Sequence, residues 1–185
     1  MTTHGQQIEA HYRELWGTPE ARLALGMGPV RELPPGFEIL VFRRASGPRV
    51  YATCCMSEPT DDEGIELHLL VRDEDGERAT VSILETLTAV AHFHRTGSPL
   101  GMGHTVNFGR SFLPGATCTH GLVSLPYLDG PRLERLERPR ARFLWLIPVT
   151  RQEVEFKKRN GLDALEERLE AASFDYLDPQ RASVC

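Results

Sequence analysis

The chain has 185 residues, 41% hydrophobic and 25% charged, with a net charge of −5 at neutral pH. A chain of this length buries roughly 70% of its unfolded surface and needs neither metal nor disulfide to fold, so the sequence predicts one globular domain over residues 1–185 with no cofactor. The acidic balance argues against a nucleic-acid binder, which carries a basic field, and no apolar run has the length of a membrane span or the form of a signal-peptide core; the expectation is a cytoplasmic protein with reduced thiols at Cys54, Cys55, Cys118 and Cys185.

In chain order, Ile8, Tyr12, Leu15 and Trp16 recur at helical spacing and Gly17 follows as a stop, which predicts a helix over 6–16. After Pro34-Pro35-Gly36, three short runs rich in β-branched and aromatic residues, 37–44, 49–57 and 65–71, read as strands, with a hairpin turn at 46–48. Adjacent cysteines in a strand point to opposite faces, so Cys54 and Cys55 are not expected to pair. The segments 58–64 and 73–77 read as acidic loops. Ile83, Leu84, Leu87, Val90, Ala91 and His94 share a helical face, and Ser82 with Glu85 reads as a capping box, so a helix is expected over 82–94. A glycine-rich turn at 97–104, strands near 105–108 and 118–125, and a basic linker at 127–142 come next. The uncharged run at 141–147 has the pattern of a strand covered on both faces, and Pro148 is expected to end it. Thr150 and Glu153 form T-x-x-E, so a helix begins at 151; Asn160-Gly161 stops it, and Leu162, Leu165 and Leu169 mark the apolar stripe of another. The fold class is mixed α+β.

The chemistry-bearing residues do not converge. His92, His94, His104 and His120 lack zinc-ligand spacing, and His94 reads as a charged residue at a helix C-terminus. Cys118 and His120 share a face if both lie in one strand, which leaves a small hydrolase or metal enzyme on His104, His120 and Cys118 as the alternative reading. The glycine-rich turn has neither phosphate-binding pattern. The segment 58–66 carries Glu58, Asp61, Asp62, Glu63 and Glu66 with no compensating base, and Asp61, Asp62 and Glu63 are the candidate contact for a basic partner.

Gly103-His104 ahead of a short strand, HGLVSLP (120–126), FLWLIPVTRQE (143–153), NGLDALEERL (160–169) and DPQRASV (178–184) occur in one order, preceded by VYATCCMS, IELHLLV and SILETLTAVAHF. In these motifs the chain resembles the suppressor of fused domain family over roughly residues 8–184. The resemblance implies a mixed β-sheet packed with helices and no catalytic activity. It implies a protein-binding module: animal relatives restrain transcription factors of the Hedgehog pathway by holding a short peptide, and bacterial relatives are associated with toxin systems as immunity proteins. The length matches the N-terminal domain of the animal form, so the expectation is a bacterial single-domain member that neutralises a toxin domain. His104 and His120 match histidines of the family pattern; with Gly103 and the acidic residues they are the expected partner-binding set, while Thr150, Glu153, Asn160 and Gly161 are expected to mark the fold. No nucleic acid or membrane partner is expected.

Overall fold

A computed structural model describes residues 3–44 and 47–185, leaving the side chains of 76–78 undescribed. The elements are α1 (His4–Trp16), β1 (Ala21–Leu23), a 3-10 turn (Gly28–Glu32), β2 (Glu38–Arg43), β3 (Arg49–Cys54), β4 (Gly64–Val71), α2 (Asp73–Thr96), β5 (Thr105–Asn107), β6 (His120–Ser124), α3 (Pro131–Glu134), β7 (Arg135–Glu137), β8 (Arg140–Val149), α4 (Arg151–Asn160) and α5 (Leu162–Ala171). One mixed sheet runs β1-β2-β3-β4-β8-β6-β5, with β7 also on β8; β4 and β8 are parallel and the other pairs antiparallel.

Apolar side chains cover both faces. On one face Ile39, Val41, Leu67, Leu69, Leu144 and Leu146 pack with Ile83, Leu87 and Val90 of α2. On the other Leu40, Phe42, Phe143, Trp145 and Ile147 pack with Ile8, Tyr12 and Trp16 of α1, Val154 of α4, and Leu165 and Leu169 of α5. The strands between them are therefore apolar on both sides, as the run at 141–147 predicts.

Several local features differ from the sequence reading. The segment at 73 is not a loop: α2 starts at Asp73, where Asp73, Glu74 and Asp75 fill its first turn and meet the positive end of the helix dipole. Ser82 is thus inside the helix, where its hydroxyl bonds the Phe112 carbonyl at 3.3 Å and caps nothing. Pro148 does not end β8, which continues to Val149. Past Trp145 the strand has lost β4 and keeps only β6, so a residue without an N–H is accommodated on the vacated side. The linker at 127–142 contains α3 and the β7–β8 pair, anchored by fully buried Leu133, whose carbonyl meets His11 Nε2 at 2.8 Å. Strand β3 stops at Cys54 because Cys55 has φ +65°. The turn expected at 46–48 falls partly, and Glu77 in its side chain, outside the described residues.

Candidate functional site

Strand β5 closes one edge of the sheet and, among the described residues, pairs with β6 alone. The Val123 N–H donates to the His104 carbonyl at 2.9 Å and the Phe108 N–H to the Thr119 carbonyl at 3.0 Å. In an antiparallel ladder inward-bonding residues alternate, so Thr105 and Asn107 turn their N–H and C=O groups away from β6, toward the open edge. Alongside lies a cavity of about 800 Å³ between β5, α2 and the segment at 25–29, lined by Leu25, Met27, Val90, Phe93, Val106 and Phe108. Met27 is 76% exposed and Phe93 41%. Glu85 and Arg110 pair across its rim at 2.8 Å.

The turn before β5 holds this edge in place. The His104 N–H bonds the Gly101 carbonyl at 3.0 Å, and Gly103 sits at φ +79° with its N–H on the Val123 carbonyl at 2.7 Å. His104 is exposed, and its Nδ1 accepts from the Gly101 N–H at 3.2 Å. His120 is half-buried at the start of β6, with Nδ1 2.9 Å from Thr119 Oγ1; burial first, then Lys158 and Arg151, lowers its pKa. Cys118 lies ahead of β6 and not in it, so the shared strand face behind the hydrolase reading does not exist. Its N–H bonds the Pro179 carbonyl at 3.1 Å, its side chain is fully buried, and burial pushes the thiol up to about 11, which leaves almost no thiolate at neutral pH.

The acidic segment is not the uncompensated patch its sequence suggests. Arg95 reaches Asp61 at 2.8 Å and Glu58 at 2.5 Å, and Arg140 lies 3.9 Å from Glu63. Asp62 is exposed, whereas Glu66 is fully buried in β4. The bases are more than 30 positions away in sequence, so their closeness is a tertiary fact. Asp73 is likewise paired, with Arg49 at 2.8 Å and Arg43 at 3.1 Å. His94 is not the charged helix terminus expected: burial, then Arg95, lowers its pKa, and its Nδ1 accepts from the Leu100 N–H at 2.8 Å, as a neutral ring does.

Beside α1 a hydrogen-bonded chain superficially resembles catalytic machinery. His4 Nε2 is 3.0 Å from Ser57 Oγ, which lies 2.6 Å from Glu66 Oε1. With Glu66 ionised, the Ser57 hydroxyl proton goes to the carboxylate and Ser57 Oγ is left to accept from His4 Nε2–H, the reverse of what a general base requires. Glu66 also accepts from Thr53 Oγ1 and the Met56 and Ser57 N–H groups, and burial raises it to about 7. This is a satisfied buried carboxylate tying β3, β4 and α1 together. Among the described residues no group of three or more potential metal ligands is assembled.

At the C-terminal end, Thr150 Oγ1 accepts from the Glu153 N–H at 3.3 Å and the Thr150 N–H donates to Glu153 Oε2 at 2.8 Å. Asn160 ends α4, and Gly161 at φ +95° separates it from α5. Glu153 is fully buried and forms a two-pronged pair with Arg181, at 2.5 and 2.9 Å. Burial alone pushes its carboxyl up; Arg181 and the Thr150 N–H overcome this and hold it below its usual range.

The sequence model described as "Suppressor of fused protein (SUFU)" matches residues 34–182. The chain belongs to the suppressor of fused family. A Neisseria gonorrhoeae protein described as a SUFU homologue superposes with a TM-score of 0.83 at 27% identity, covering 98% of this chain and 97% of that one. A chain of the Sufu–Fu complex superposes with a TM-score of 0.73 at 15% identity over 98% of this chain and 92% of its own. Drosophila Suppressor of Fused superposes with a TM-score of 0.73 at 15% identity, and this chain spans 50% of its length. No curated protein sequence matches. The mixed sheet with helices on both faces is thus the suppressor of fused fold; of the sequence motifs, the Gly103-His104 turn lies beside the open edge and α4, capped by Thr150, packs on the face opposite α2. Sequence reading identified the turn and the strand but missed the cleft, because Met27 lies more than 60 positions before Phe93 and β5; isolated exposed apolar residues carry no signal until the fold gathers them.

Proposed function

We propose that this chain is a non-enzymatic protein-binding module that takes an extended segment of its partner along β5, with the partner's side chains in the adjoining cleft. The carrying observation is the outward-facing backbone of Thr105 and Asn107 beside an apolar cavity of about 800 Å³. An unpaired strand edge is a template for another strand: main-chain hydrogen bonds supply affinity and the neighbouring pocket supplies selectivity. The Sufu–Fu complex, a fold relative, is by its name a complex of two proteins.

The finer reading is an immunity-type protein that neutralises a basic toxin domain in a bacterial cytoplasm. Its support is the net charge of −5 and a second cleft, where Asp163, Glu166, Glu167 and Glu170 surround exposed Tyr127 and Leu128. Carboxylates around an apolar floor attract a basic surface and speed its association. This cleft, rather than 58–66, is the proposed electrostatic contact.

Selection from a random peptide library against the purified protein tests the binding mode. Thr105→Pro deletes an outward N–H without touching the β6 ladder. Selected peptides should lose about tenfold in affinity, the scale of one or two main-chain hydrogen bonds, with the melting temperature retained. Equal binding to both proteins overturns the edge-strand reading. Salt-sensitive binding of a toxin domain encoded beside this gene, weakened by Glu166→Gln with Glu170→Gln, would support the finer one; association independent of salt and of both carboxylates would contradict it.

A further inference from the structure

Cys54 closes β3, and Cys55 leaves it with φ +65°. In a continuing strand their side chains would take opposite faces. The left-handed residue instead turns both toward the first turn of α1: a Cβ built on Gly5 would lie 3.0 Å from Cys55 Sγ and 3.7 Å from Cys54 Sγ. Cys54 Sγ also donates to the Gly5 carbonyl at 3.5 Å. Both residues line an open cavity of about 610 Å³, with His4, Gly36, Glu38 and Ser57 among its walls. Two free thiols joined by one peptide bond, facing one point and bordering a cavity open to solvent, form a dithiol.

We propose that Cys54 and Cys55 are a redox-active vicinal pair that closes to an eight-membered disulfide ring on reaction with a low-molecular-weight disulfide such as glutathione disulfide. The Cys55 thiolate attacks one sulfur of the oxidant, whose S–S bond breaks; the departing thiolate takes up a proton, leaving a mixed disulfide on Cys55. Cys54 then loses its proton and attacks the Cys55 sulfur, expelling the second thiol. Two electrons pass from the protein to the oxidant, which leaves as two thiols. Cys55 acts first because the adjacent Cys54 thiol, when its S–H turns from the Gly5 carbonyl to Cys55, favours the Cys55 thiolate and lowers its pKa, while that interaction and burial raise Cys54. Ring closure removes the Cys54 donor from the Gly5 carbonyl and constrains the turn carrying Ser57, so oxidation acts on the seat of α1. This layer lies on the opposite face of the sheet from α2 and the peptide cleft, so the inference stands apart from the binding proposal.

The native protein carrying Cys185→Ser, which removes the exposed thiol, is incubated with glutathione disulfide, alkylated and mapped by mass spectrometry. The expected product is a peptide bearing Cys54 and Cys55 that has lost two hydrogens and resists alkylation until reduced. Cys54→Ser should trap glutathione on Cys55, whereas Cys55→Ser should leave Cys54 unmodified. A stable glutathione adduct on Cys55 in the protein retaining both thiols, or both thiols staying free until denaturant is added, overturns the proposal; that measurement decides even if either serine variant fails to fold.

Discussion

Glu66 sets the clearest consequence at the scale of a residue. Its folded pKa, about 7, lies above its ordinary value of 4.5. Between these values the folded state holds a proton that the unfolded chain releases, so this group's contribution to stability grows as pH falls from above 7 toward 4.5 and is lost as pH rises through 7. Denaturant titrations at pH 5 and pH 8 should show roughly 1–3 kcal/mol in favour of the acidic side from this residue, and Glu66→Gln should remove that part of the slope. An unchanged slope in the variant would mean that the four donors keep the carboxylate ionised. Gly121 makes a different demand: a Cβ there would lie 2.5 Å from Leu146 Cδ1 and 2.8 Å from Phe108 Cζ. Gly121→Ala should cost about 1–3 kcal/mol by overpacking, and because Phe108 lines the cleft it should weaken peptide binding too. Calorimetry and binding on the same variant check both. Neither residue's role was legible in the sequence: Glu66 reads as one more carboxylate of an acidic stretch, and a strand glycine gives no sign of which side chains approach it.

At the scale of elements, legibility followed locality. The helix start at Thr150, its stop at Gly161 and the two-face burial of the run at 141–147 depend on residues within a few positions of each other, and the sequence carries them. The start of α2 was missed because Ser82 and Glu85 satisfy a capping pattern inside a helix whose true beginning, at Asp73, has no side-chain cap and relies on dipole complementarity. The seat of α4 was half legible: the capping box is local, but the buried partner of Glu153 is Arg181, 28 positions on. Thr150→Ala should cost about 0.5–2 kcal/mol, as loss of a helix cap does. Arg181→Met should cost more, about 3–5 kcal/mol, because it strands a buried carboxylate. Equal costs in chemical denaturation would show that the pair adds nothing beyond the cap.

At the scale of the whole molecule, one sheet carries both helical layers, and its two ends differ in use. Edge strand β1 lies at one end; at the other, β5 presents Thr105 and Asn107 beside the apolar cleft of about 800 Å³, steadied by the Gly101–His104 turn. The family motif at Gly103-His104 was visible in the sequence as a turn before a strand. That the strand is an open edge was not, because edge position depends on which strands pair, and β5 finds β6 across a 12-residue connection. The central claim, that a partner segment pairs with β5, is tested most directly by amide hydrogen exchange, residue by residue, with and without a selected peptide. Pairing along β5 should slow exchange at the Thr105 and Asn107 amides, with Val106 already protected by β6 in the free protein. Protection confined to other surfaces, with Thr105 and Asn107 exchanging as fast as in the free protein, would contradict it.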